Sequence, residues 1–288
     1  MRASRLFCRF YEKDGALLMG IFDGVLILSD LDGTLLNSSA EISERNIEAV
    51  KNFMAKGGRF SFATGRNYTS MSYFYDCIPV NAPAVTSNGA VIYDFDAGCA
   101  RRVYALGELG EKIARELLSR FDDIGIEVML EDTIYVLKHD PINEMHIRYT
   151  KASAHYGGFE DIPKPWVHLL VTRDPATIGE VYDFVASNYS GSAFGQYSAP
   201  YFLEILIEGA TKGAGARCIA DMLDISYDDL YTVGDGLNDV QLLTCTQNSF
   251  APENCHGEVR KIASHILPDN DHDTIAELIE HIRRTREV

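Results

Sequence analysis

Gly24-Val-Leu-Ile-Leu-Ser-Asp30-Leu-Asp32-Gly33-Thr34 is the stretch that decides the reading of this chain. An unbroken apolar run ends at two aspartates two residues apart, and Gly and Thr follow. Apolar residues without polar alternation suit a strand covered on both faces, as in a parallel sheet flanked by helices. Ligands of such sheets gather beyond the carboxyl ends of the strands. Asp30 is predicted at that end, with Asp32 just past it in a loop that Gly33 lets turn sharply. Two carboxylates this close repel each other unless a cation or a proton lies between them. The stretch suits a Mg2+ site or acid/base work, but a strand end capped by turn-forming Asp and Gly reads the same way.

Composition narrows the function. The chain has 288 residues, enough for one large domain or two modest ones. Hydrophobic residues at 46% and charged residues at 24% are ordinary for a globular protein. A net charge of −16 disfavours nucleic acid and anionic membrane surfaces as partners. A small phosphorylated metabolite stays open, because a local cation can reverse the field inside a site. The six cysteines (Cys8, Cys77, Cys99, Cys218, Cys245, Cys255) form no C-x-x-C pair or metal-ligand spacing, which predicts reduced thiols and a cytoplasmic protein. No apolar run approaches the roughly 18 residues of a membrane span. Arg2, Arg5 and Arg9 are followed by Glu12, Lys13 and Asp14, which interrupt any secretory apolar region. Met19 is a candidate start, with residues 1–18 an N-terminal extension. Oligomeric state is not readable.

Outward from the opening stretch, periodicity predicts a helix over 42–56, a strand over 59–63, a helix from 67 to 75 and a strand over 84–87. This is β-α-β-α-β, a doubly wound α/β pattern. After Asn88 the character changes. A strand pair over 90–95 and 101–106, a helix over 108–121, strands at 126–130 and 133–138, a helix over 142–155, a strand over 167–172, a helix over 176–188, and strands at 195–197 and 202–207 suggest an antiparallel α+β unit. The doubly wound pattern resumes with a helix over 212–223, a strand at 230–233, a strand at 248–251 and a closing helix over 274–284. The expected organisation is a Rossmann-like parallel-sheet core of residues 19–88 and 200–288. An α+β cap domain, residues 89–199, is inserted into it, with hinges near 87–90 and 197–202.

Four stretches carry chemistry: Asp30-Leu-Asp32-Gly-Thr34, Thr64-Gly-Arg66, Lys212-Gly213 and Gly234-Asp235-Gly-Leu-Asn238-Asp239. Phosphoryl transfer needs a nucleophile, a cation, donors for the phosphate oxygens and a proton carrier. Mg2+ takes oxygen ligands, and Asp30 and Asp235 suit it. Gly209-Ala-Thr-Lys-Gly213 is not a P-loop, because the Gly-Lys-Ser/Thr order is absent. His139, His146, His155 and His168 show no ligand spacing and read as cap residues.

In order and spacing the four stretches resemble the haloacid dehalogenase superfamily. Thr64-Gly-Arg66, Ser87-Asn88-Gly89-Ala90 and Pro200-Tyr-Phe-Leu-Glu204 are similar to its Cof-type (subfamily IIB) branch of sugar-phosphate phosphatases. The resemblance implies a Mg2+-dependent phosphatase of small phosphate monoesters acting through an aspartyl-phosphate. It implies Asp30 as nucleophile, Asp32 as general acid/base and backbone-carbonyl metal ligand, Thr64 as phosphoryl donor, and Lys212 as the neutralising cation. Asp235 corresponds to a direct metal ligand and Asp239 to a supporting carboxylate beside the metal. Asn238 corresponds to a residue near the phosphate, and Arg66 and Asn88 to residues facing substrate. A phosphosugar mutase and a non-catalytic phosphometabolite-binding regulator are the alternatives. Asn270-Asp-His-Asp-Thr274 lacks the Gly that similar acidic runs carry, which bears on loop geometry there.

Overall fold

A computed structural model of the chain describes residues 20–150 and 153–287. The expected N-terminal extension, the Met19 start and Cys8 lie outside the described residues.

The first half of the core runs β1 (Leu26–Ser29), α1 (Glu44–Ala55), β2 (Arg59–Phe62), α2 (Tyr68–Cys77) and β3 (Ala84–Thr86). Alternate residues of β1 enter different apolar clusters. Ile27 packs with Val50 and Phe53 of α1, while Leu26 and Leu28 pack with helix residues Ala216 and Ile219 on the other face. That two-sided cover is why the run needs no polar alternation. Ser43 opens α1 as its cap, accepting from the Asn46 N–H at 3.1 Å. Next come β4 (Val91–Asp94) and β5 (Cys99–Val103), then α3 (Glu108–Arg120), β6 (Gly125–Met129), β7 (Ile134–Lys138) and α4 (Pro141–Thr150). β8 (Ala154–Tyr156), β9 (His168–Thr172), α5 (Ile178–Tyr189), β10 (Ala193–Ala199) and β11 (Phe202–Ile207) complete the middle of the chain. The last part is α6 (Lys212–Met222), β12 (Leu230–Val233), α7 (Val240–Thr244), β13 (Asn248–Pro252), α8 (Gly257–Ile262), β14 (His265–Leu267) and α9 (Thr274–Arg286).

The core sheet has the order β14-β13-β12-β1-β2, all parallel. From β1 the chain moves outward to β2, and it later returns on the other side through β12. The strand order therefore reverses between β1 and β12, where such sheets bind ligands. The middle of the chain forms a separate six-stranded sheet, β10-β11-β9-β6-β7-β8, with its own apolar cluster against α3 and α5.

The structure redraws some sequence boundaries. β4 and β5, expected at the start of the inserted unit, instead extend β3 into a three-stranded antiparallel sheet, β4 pairing with β3 and β5 with β4, and Ile92 joins the core cluster of Leu26 and Leu28. The chain passes into the second sheet's unit beside Leu106 and Gly107, whose N–H groups donate to Val167 and Trp166 carbonyls at 3.1 and 2.9 Å. Residues 197–202 are not a crossing; they hold the β10–β11 connection within the second sheet. The helix expected over 142–155 ends at Thr150, and residues 154–156 instead pair with β7 as β8. Helical periodicity had run on through a short edge strand. In the tail, Asp273 takes φ +61° and ψ +46°, the left-handed conformation glycine favours and aspartate tolerates. Its carboxylate accepts from Ser43 Oγ at 2.5 Å, which holds the turn in the absence of glycine.

Candidate active site

Each predicted site residue except Lys212 follows the carboxyl end of a strand. Asp30 follows β1, Thr64 follows β2, Asn88 follows β3 and Asp235 follows β12. The Asp30 N–H donates to the Val233 carbonyl at 2.9 Å, which ties the end of β1 to that of β12. Beyond it, residues 31–35 make one tight irregular turn in which Gly33 has φ +75°. A Cβ on Gly33 would lie 2.5 Å from Asp235 Oδ2, so the bare backbone is what lets the two loops meet.

Lys212, the first residue of α6, is completely buried. Its Nζ donates to Asp30 Oδ1 at 2.9 Å and to Asp239 Oδ1 at 2.7 Å. A cation at a helix N-terminus opposes the helix dipole, so the carboxylates hold it there. Burial pulls the ammonium down, but Asp239 and then Asp30 outweigh this and keep it above its ordinary range. Asp239 Oδ2 accepts from the N–H groups of Asp235 and Gly236 at 3.0 and 2.9 Å. Both Asp239 oxygens are thus engaged, and the residue braces the Asp235 loop. Thr34 Oγ1 donates to Asp235 Oδ1 at 2.7 Å. The sequence reading quoted Thr34 but gave it no role; its place in a turn facing a distant loop left no local signal.

One oxygen from each of Asp30, Asp235 and Asp239 falls within 4.8 Å of the others. Three carboxylates meet one ammonium, an excess of negative charge that burial makes costly. Burial first, then Asp239, pushes Asp30 well above the usual carboxylate range, against the opposing pull of Lys212. Burial, then Asp239, pushes Asp235 up to about 7, opposed by the Thr34 hydrogen bond. The donor set is all oxygen, and the charge imbalance is one a divalent cation would correct, so the residues fit Mg2+. Asp30 and Asp235 each keep Oδ2 outside these hydrogen bonds.

Asp32 stands apart from this cluster. Arg66 grips it in bidentate fashion, Nε to Oδ2 at 2.8 Å and Nη2 to Oδ1 at 2.7 Å. Asn88, in left-handed backbone at φ 52°, accepts on Oδ1 from Asn238 Nδ2 at 3.1 Å. Its own Nδ2 is buried with no hydrogen-bond partner among the described residues. Thr64 is buried and accepts from the Arg66 N–H at 3.2 Å. A cavity of about 410 Å³ joins Asp30, Asp32, Thr64, Arg66, Asn88, Asp235 and Asn238. Its other wall comes from the second sheet's unit and includes Met129, His146, Ser198, Tyr201, Phe202 and Glu204. Lys212 and Asp239 lie behind this surface. The sequence reading placed His146 among the cap residues without ligand spacing, and Glu204 entered only as part of a family phrase; neither was given a role of its own.

The family description "haloacid dehalogenase-like hydrolase" matches residues 27–279. The chain belongs to that family, and to its Cof-type branch. The enzyme class expected from the motifs, a phosphoric monoester hydrolase, is borne out. Among curated relatives, the 5-amino-6-(5-phospho-D-ribitylamino)uracil phosphatase of Bacillus subtilis is 25% identical over 279 residues, covering 86% of this chain and 94% of that protein. Among solved structures, a haloacid dehalogenase-like hydrolase from Bacteroides thetaiotaomicron has a TM-score of 0.77 at 24% identity, covering 90% of this chain and 99% of that one. A subclass IIB sugar phosphatase has a TM-score of 0.78 at 20% identity, covering 89% and 98%. Likeness at these identities bears on the fold. Among the described residues, no helix is long and apolar enough to cross a membrane.

Proposed function

We propose that this chain is a Mg2+-dependent, cytoplasmic phosphatase that hydrolyses small phosphate monoesters, sugar phosphates foremost, through a phosphorylated Asp30. The observation that carries the reading is the buried Lys212 bridging Asp30 and Asp239, with Asp235 alongside and a roofed cavity in front. A binding protein has no need to bury a lysine among three carboxylates at this cost. One relative is named a phosphatase of a phospho-D-ribitylamino compound and one structural neighbour a sugar phosphatase, which supports polyol and sugar monoesters as the class.

Bound Mg2+ would be held by Asp30, Asp235 and the Asp32 backbone carbonyl, and supplies the charge that brings a phosphoryl dianion to an ionised carboxylate. Asp30 forms a bond to phosphorus as the bond to the leaving oxygen breaks. Asp32 gives that oxygen a proton, then takes one from the water that attacks the phosphoaspartate; phosphate departs and Asp30 is restored. Arg66 must release one oxygen of Asp32 for that oxygen to carry the proton. Thr64 and the unpartnered Asn88 Nδ2 offer donors to the phosphoryl oxygens. Lys212 pulls Asp30 toward its ionised form and aims it. The unit from α3 to β11 acts as the cap, excluding water and meeting the leaving group.

The test is phosphate release from a panel of sugar and polyol phosphates with Mg2+, for wild type and Asp30→Asn. Wild-type turnover that Asp30→Asn abolishes while the fold survives is expected. Retained activity in the variant would remove Asp30 as nucleophile. An isomerised sugar phosphate without free phosphate would make the chain a mutase.

A further inference from the structure

The second unit's sheet carries a polar row facing the cavity side. Register places Gln196 opposite Glu204, Glu204 opposite Leu170, and Leu170 opposite Glu127, across β10, β11, β9 and β6. Residues paired across strands share a face, as do residues two apart on a strand, so His168 joins them. The opposite face holds Leu203, Ile205, Leu169, Val171 and Ile126, all in the unit's apolar cluster. Gln196, Glu204, Glu127 and His168 are each more than nine-tenths buried.

This row is poorly satisfied. Both Gln196 side-chain atoms, Glu204 Oε2, Glu127 Oε1 and His168 Nδ1 have no hydrogen-bond partner among the described residues. His168 Nε2 is 2.8 Å from Glu204 Oε2 but without hydrogen-bonding geometry. Glu204 Oε1 accepts from Ser198 Oγ at 3.1 Å, and Glu127 Oε2 lies 2.8 Å from His146 Nδ1. Buried groups left this open call for a ligand or water to complete them.

Charge decides what that ligand can be. Glu204, Ser198 and His146 line the cavity with Met129, Ile134 and Phe202. Among the described residues, no lysine or arginine of the second unit lines it. The core's Arg66 and Lys212 are committed to Asp32 and to Asp30 with Asp239. Among the described residues, a second anion on the leaving group would meet Glu204, and the imidazole that lines the cavity, His146, is already paired with the Glu127 carboxylate behind it.

We propose that Glu204 is a specificity-determining residue that acts as a charge filter: uncharged polyol and amine-bearing leaving groups enter, and leaving groups with a second acid group are refused. The proposal rests on the phosphatase reading above and extends it to the far end of the cavity. A like charge at roughly 6 Å in an effective dielectric of about 20 corresponds to a discrimination of about 100-fold.

The test compares kcat/KM for a hexose 6-phosphate, a 2-amino-hexose 6-phosphate, the corresponding hexonate 6-phosphate and a hexose 1,6-bisphosphate. The first two are expected to exceed the last two by about 100-fold, and Glu204→Gln to remove most of that ratio, bringing the four esters within about threefold of one another. Turnover of the acid-bearing esters within threefold of the neutral ones by wild type overturns the filter, with no variant needed. A folded Glu204→Gln protein that keeps the full ratio overturns the assignment to Glu204. A merely structural Glu204 would lower kcat/KM for all four esters alike, and that outcome also counts against the proposal. If no ester is hydrolysed, the phosphatase reading fails separately. Calorimetric binding of the same four esters to the wild-type protein then decides the filter by the same ratio.

Discussion

Replacing Lys212 with methionine keeps most of the side-chain volume and removes the charge. Lys212 Nζ makes two contacts below 3 Å with carboxylates, at full burial, and among the described residues no second cation is paired with Asp30 or Asp239. Breaking a buried pair by removing one partner costs about 3–5 kcal/mol, because the remaining charge stays buried. For a chain of this size that corresponds to a fall in Tm of about 6–15 °C. The pH dependence has a definite sign. Carboxylates raised in the folded state lose nothing when protonated, so the deficit is full above the raised folded value and shrinks as pH falls toward the unfolded value near 4. Thermal unfolding of wild type and Lys212→Met, followed by circular dichroism at pH 8 and pH 5, reads both quantities. The gap is expected to be wide at pH 8 and narrow at pH 5, with phosphatase activity lost at both. A variant with unchanged Tm at pH 8, or a gap that widens on acidification, would refute the charge-balance account of the site.

Three further outcomes follow from the same geometry. Mg2+ should raise Tm more at pH 8 than at pH 5.5, because Asp235, pushed up to about 7, must be ionised to take part; an equal rise at both, or none, counts against a carboxylate metal site. Arg66→Lys cannot reproduce the bidentate grip on Asp32, so kcat should fall about 10-fold or more with a shifted pH profile; an unchanged profile would mean that the grip does not position Asp32. Gly89→Ala would place a Cβ 2.2 Å from the Thr211 backbone at φ +103°, and backbone cannot yield cheaply, so a loss of about 2 kcal/mol or more in denaturant unfolding is expected.

The core was legible because its signals are local. The apolar run before Asp30 is a buried strand, and Ser43 and Asn67 stand where helices α1 and α2 begin. Three of the four motif stretches meet because strand ends in a parallel sheet point the same way, and Lys212 joins them from the start of α6. What escaped the sequence was long-range pairing. Nothing local says that residues 91–94 pair with β3, carrying β5 with them, and not with the later strands, or that helical spacing after residue 150 conceals an edge strand. Thr34 gained its role from Asp235, 201 residues away in sequence. The motifs set Arg66 facing the site; the folded chain lines the cavity with it and adds a bidentate contact to Asp32 that spacing alone did not show. Glu204, His168 and Glu127 are polar residues in the otherwise largely apolar strands β11, β9 and β6. Only the register shows that they form one row.

That row sits on a sheet whose two faces answer to different demands. Leu203, Ile205 and Leu169 hold the unit together, while Glu204, Gln196 and His168, interleaved with them along the same strands, share the other face, where Glu204 lines the cavity. Under the proposed charge filter, heredity can edit Glu204 and alter which ester is accepted, while the intervening residues go on folding the same unit. The five core strands that carry the chemistry need not change at all. An ancestral line equipped this way explores new metabolites through single substitutions on an interior surface, without a new loop or a new domain.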